Sequence, residues 1–200
     1  MNIKQLTQMI KQEKEILRKN EEKVIHLRKT WDNLTVEEKP LMLLEAWKKQ
    51  SSSAKWGYDW WVSLFNETGF ITNAGLAQPS KEIRLYRGSK EAFKRGMPWT
   101  DDPKIAEIFA KREETKKHPA KVYTTIVKPE LVLAIVYGKV DLFTYITEYV
   151  VNYQGLNEDQ IEEYNPKNTL EGKAIAEIIR ARDKGVITEA QAFQIMKCLQ

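Results

Sequence analysis

Two charged side chains stand where strand patterning calls for apolar ones. Along Ile83-Arg84-Leu85-Tyr86-Arg87-Gly88, side chains two apart share a face, so Arg87 continues the face of Ile83 and Leu85. Along Tyr145-Ile146-Thr147-Glu148-Tyr149-Val150, the same alternation puts Glu148 with Ile146 and Val150. A carboxylate on an apolar face is costly to bury unless it is paired or faces a cleft. Either the second strand is an exposed edge, therefore, or Glu148 lines a site. Local rules fail most often at functional sites, which makes this pair the informative feature of the chain.

Other chemistries lack their residues. Gly138-Lys139 and Gly172-Lys173 have no upstream glycine of a P-loop, and there is no G-x-G-x-x-G fingerprint. The G-x-S-x-G elbow is missing, and His26 and His118 lie among charged neighbours where each is expected to face water. One cysteine, Cys198, excludes an internal disulfide, and with two histidines the spacing of a zinc site is absent. No metal is expected.

The elements that must position Arg87 and Glu148 can be read from periodicity. Ile3, Ile10, Leu17, Val24 and Trp31 recur every seven residues, with Leu6, Leu27 and Leu34 between them, as on a long amphipathic helix. This seam is expected to pack on the chain's own body; the alternative is oligomerisation through residues 1–34. Thr35 and Glu38 form a capping box that opens a second helix to about Lys49. Trp56, Tyr58, Trp60, Trp61 and Phe65 crowd a third helical segment ending at Thr68-Gly69, and are expected to be core. After Pro79 the period becomes two. Strands are expected at 83–88, 122–127, 131–137 and 143–153, with a helix between Asp102-Pro103 and Lys116. Asn168 with Glu171, and Thr188 with Gln191, open two final helices.

The chain has 200 residues, is 42% hydrophobic and 30% charged, and carries a net charge of +4, which fits a folding domain with no strong electrostatic signature. Residues 81–130 hold thirteen Lys/Arg against eight Asp/Glu, and 138–171 hold two against seven. The longest apolar run, Leu131 to Tyr137, is far short of the roughly 20 residues of a membrane-spanning helix. The first fifteen residues lack the apolar stretch of a secretory signal, so a cytoplasmic protein with no membrane partner is expected.

Three segments in order carry a resemblance: LYRGS at 85–89, GMPWTDDPKIAEIFA at 96–110 and TEYVV at 147–151. Together they resemble the ADP-ribosyltransferase family of the arginine-serine-glutamate type, closest to its compact bacterial and phage versions, over roughly residues 80–155. The resemblance implies an α+β fold of split antiparallel sheets around an NAD cleft. The helical region would span 1–78, the core 79–165 and the C-terminal helices 166–200. It implies Glu148 as the catalytic residue, with Arg87 on the phosphate and ribose of NAD and the Gly88 backbone on the nicotinamide carboxamide. Thr100 would supply the hydroxyl of the middle motif, and Tyr86 and Trp99 would form walls. NAD would be a substrate, and ADP-ribose would pass to a macromolecular acceptor, a host or cellular protein, as in a toxin or phage effector. The chain departs from the family at Pro98, where a serine is expected, and at Ile146, where arginine-modifying members carry an acid or Gln. A non-catalytic binding module using the N-terminal helix, and a nucleic-acid-binding or nucleic-acid-modifying member of the same fold, are the alternatives.

Overall fold

The computed structural model describes residues 3–49, 53–115, 117–139, 145–166 and 170–197, in two compact units, Met1–Glu162 and Glu163–Gln200. Helix α1, Ile3–Thr30, covers the heptad-patterned segment, and at its C-terminal end Val24 and Leu27 are fully buried with Trp31 just beyond. Seam side chains at Ile3, Leu6, Ile10 and Leu17 lie outside the described residues. Arg28 and Lys29 in the last turn complement the negative end of the helix dipole.

The capping box forms as read. Glu38 N–H donates to Thr35 Oγ1 at 3.3 Å and Thr35 N–H to Glu38 Oε2 at 2.9 Å, satisfying two orphan donors at the start of α2, Glu38–Lys49. The aromatic segment is not one helix. Gly57, at φ 87°, divides a short α3, Ser53–Trp56, from α4, Tyr58–Thr68. A left-handed backbone there is open to glycine at little cost, which is why the chain can turn between two aromatic runs.

Among the described residues seven strands follow: β1 Ile71–Thr72, β2 Ile83–Lys90, β3 Pro98–Thr100, β4 Ala120–Val127, β5 Val132–Lys139, β6 Tyr145–Val151 and β7 Glu162–Glu163. They lie in the order β1-β5-β6-β3-β2-β4-β7, with β1 parallel to β5 while β2 is antiparallel to β3 and β4, and β6 to β3 and β5. The fold is α+β, but the expected pair of antiparallel sheets is one mixed sheet. Its two halves meet at β2 and β3, whose register holds the pair Tyr86 and Thr100 and then diverges. Strand β6 is shorter than the expected 143–153, and positions 143 and 144 lie outside the described residues.

Helix α5, Pro103–Glu113, starts where Asp102 accepts the Lys104 N–H at 2.8 Å and Pro103 fills the first helical position. One face of the sheet carries Ala134, Val136 and Val150 into a cluster with Val24, Leu27, Leu43, Trp47, Trp61 and Phe65. The other carries Leu85, Trp99, Tyr123, Val127 and Ile135 into a second cluster. Burial of these side chains, each worth roughly 1.5 to 3 kcal/mol, is the main force holding helices and sheet together.

The second unit contains α6, Leu170–Asp183, and α7, Glu189–Lys197, separated by a turn at Gly185. Thr188 and Gln191 cap α7 reciprocally, as their spacing predicts. Asn168 and Cys198 lie outside the described residues. No helix among the described residues is long and apolar enough to cross a membrane.

Candidate functional site

Divergence of β2 from β3 opens a cavity of about 290 Å³ in the first unit, and all six residues singled out in the sequence line it: Tyr86, Arg87, Gly88, Trp99, Thr100 and Glu148. Register explains the convergence of Tyr86, Thr100 and Glu148. Thr100 lies opposite Tyr86 on one side and opposite Glu148 on the other, so three strands set these side chains in one row across one face. Ser53, Ala54 and Tyr58 from α3 and α4, and Ala106, Phe109 and Glu113 from α5, close the walls.

Arg87 spans the gap between the diverging strands. Its Nη1 donates to the Pro98 carbonyl at 2.6 Å and its Nε to the Phe93 carbonyl at 3.0 Å, so the guanidinium takes a carbonyl that ladder pairing would otherwise satisfy. Burial pulls its pKa down from the ordinary value, against the opposing pull of Tyr58, Glu148 and Glu113. Arginine starts so high that it stays a cation in the working range. Gly96 makes room for it, since a Cβ there would lie 2.4 Å from Nη2.

Glu148 is half-buried and lines the cavity. Burial raises its pKa above the ordinary carboxylate range, opposed by a hydrogen bond from Trp47 and by the Arg87 charge. The Trp47 indole Nε1 donates to Glu148 Oε1 at 2.5 Å. Trp47 itself is fixed edge-on to Trp61 and Phe65, with ring centroids 5.1 and 5.3 Å away. The acid on the apolar face is thus neither at a sheet edge nor in an ion pair at a surface: it lines a cleft.

Three of these positions have structural partners of their own. Glycine at position 88 is required by helix packing, because a Cβ would lie 2.0 Å from the Ala106 carbonyl oxygen and 2.3 Å from the Ala110 nitrogen. Trp99 is 2% exposed, and its indole donates to the Gly96 carbonyl at 2.7 Å while its ring sits in the second cluster, so it is floor more than wall. The Thr100 hydroxyl accepts the Asp102 N–H at 3.3 Å, and the recorded bond to Glu148 comes from Trp47 instead.

Sequence reading missed Trp47, Tyr58 and Ser89. Tyr58 belongs to the aromatic run expected to be core, and Trp47 lies in the helix opened by Thr35 and Glu38, with its ring in the core and its N–H on Glu148. Ser89 is 2% exposed and lines the cavity with an Oγ that has no hydrogen-bond partner. A buried hydroxyl without a partner costs roughly 1 to 3 kcal/mol, which a ligand acceptor in the cavity would recover. Its only sequence signal is its place two residues after Arg87 on the same face. Among the described residues no group of three His, Cys, Asp or Glu could hold a metal ion. No family model, curated protein or solved structure matches the chain.

Proposed function

We propose that the chain is a mono-ADP-ribosyltransferase that uses NAD as its substrate. The observation that carries this reading is the convergence of Glu148, Arg87, Thr100 and Tyr86, from three strands and three sequence segments, on one cavity. In the reaction the bond between ribose C1′ and the nicotinamide nitrogen breaks, and its electron pair leaves with neutral nicotinamide. A nucleophile on the acceptor forms a new bond to C1′ and loses its proton to solvent. Between these events the ribose carries oxocarbenium character, and the ionised Glu148, hydrogen-bonded to the 2′-hydroxyl, stabilises charge that exists in the transition state alone.

Arg87 serves as a fixed cation for the pyrophosphate, held in place by the Phe93 and Pro98 carbonyls while its remaining N–H groups serve the ligand. Ser89 offers one further donor. Tyr58, Tyr86 and Phe109 supply the flat apolar surface that a nicotinamide ring or base stacks on. Ile146 lines the cavity two residues before Glu148, so a guanidinium acceptor meets no counter-charge at that position. The acceptor is a macromolecule approached from the open side, as in effector proteins of the resembled family.

Incubation of the protein with NAD labelled in its adenylate phosphate and a bacterial lysate tests this. Label is expected in macromolecules, removed by protease for a protein acceptor and by nuclease for a nucleic acid. Stoichiometric free ADP-ribose without macromolecular label would contradict transfer and leave a hydrolase.

A further inference from the structure

The carboxylate that the sheet supplies is held by a helix. Glu148 projects from β6 onto the face covered by Trp47, Trp61 and Phe65; of its row neighbours Val136 is apolar and the Thr100 hydroxyl accepts the Asp102 N–H, while the Arg87 guanidinium is held on the Phe93 and Pro98 carbonyls. A glutamate has three rotatable bonds, so an unrestrained carboxylate would sample several positions in a cavity of this size. The Trp47 indole is the opposite kind of group. It is 2% exposed, fixed by two edge contacts, and carries a single N–H that donates and never accepts. Nearby, the Trp56 and Trp61 N–H groups are buried with no partner, so the aromatic cluster does not supply acceptors as a matter of course.

We propose that Trp47 is the positioning residue of the site: its N–H, aimed by the Trp61 and Phe65 rings, holds the Glu148 carboxylate toward the cavity and completes a group whose two parts lie 101 residues apart. This rests on the transferase reading for its catalytic consequence, though not for the contact itself. Helix α2 then belongs to the site. A charge-assisted bond from a fixed donor favours the ionised acid, as does the Arg87 charge, both against burial, so the indole sets where the carboxylate is and helps to set down to what pH it remains charged.

Trp47→Phe keeps a ring in the cluster and removes the N–H. Nicotinamide release is expected to fall about tenfold or more in kcat, with KM for NAD changed less than roughly threefold, and the acid limb of the pH profile to move up by about one unit. Val62→Ala, which opens space in the same cluster at a residue that does not line the cavity, is expected to leave that limb where the wild type has it. An unmoved limb in Trp47→Phe, or an equal movement in Val62→Ala, would overturn the positioning role. A second readout does not depend on turnover or on Trp47→Phe. Of the six indole N–H signals of the wild-type protein, two belong to indoles that donate to carboxylates, Trp31 to Glu67 and Trp47 to Glu148, and one signal is expected to lose its titration in Glu148→Gln. No indole whose titration is lost in Glu148→Gln would overturn the proposal. An indole whose titration is lost in Glu148→Gln, in a protein that releases no nicotinamide, would retain the contact and reject the transferase reading.

Discussion

At the scale of single residues, Glu148 is a cost to the fold. Its pKa is raised by burial, so the folded protein binds its proton more tightly than the unfolded chain does. Below the unfolded pKa the group is neutral in both states and costs nothing electrostatically. As pH rises from there through the folded value, the native state loses stability. Glu148→Gln keeps the shape and an oxygen that can accept from Trp47. It is therefore expected to melt higher than the wild type at neutral pH, with the difference closing as pH falls into the carboxylate range. Thermal unfolding across that range checks it; a difference that stays constant or grows toward low pH would contradict the buried, cavity-facing placement. Arg87 and Glu148 were legible in the sequence because each breaks an alternation that is otherwise kept. Trp47 was not, because an indole in an apolar helix stripe satisfies the pattern whether or not its N–H reaches an acid.

At the scale of elements, the cavity depends on how closely α5 lies against β2. Gly88 sets that distance, since any side chain there meets the Ala106 and Ala110 backbone, which cannot swing aside as a flexible side chain would. Gly88→Ala is expected to destabilise the protein by about 2 to 3 kcal/mol and to widen the site. Urea unfolding measures the first and NAD calorimetry the second; full stability would mean that helix and strand are not packed as described. Start signals such as Thr35 with Glu38, and Asp102 with Pro103, were readable because capping is local chemistry. The single sheet was not. Whether β2 and β3 pair along their length or at Tyr86 and Thr100 alone is decided by Arg87 reaching Pro98, a contact no periodicity reveals.

At the scale of the whole molecule, the N-terminal helices and the sheet share one hydrophobic cluster, and the cavity takes walls from both. The helical region packs into the same body of the first unit as the sheet, which accounts for an acid borne by a strand and hydrogen-bonded from a helix. Composition and charge gave no hint of this, because shared burial is a property of packing and leaves no mark on residue counts. The central claim is that Glu148 acts on the ribose bond of NAD in this cavity. Nicotinamide release by the purified wild type beside Glu148→Gln, both with the same near-ultraviolet circular dichroism, tests it most directly. The wild type is expected to release nicotinamide, and the Gln variant to do so about a hundredfold more slowly or less. Equal rates in the two proteins, or no release from a folded wild type saturated with NAD, would contradict it.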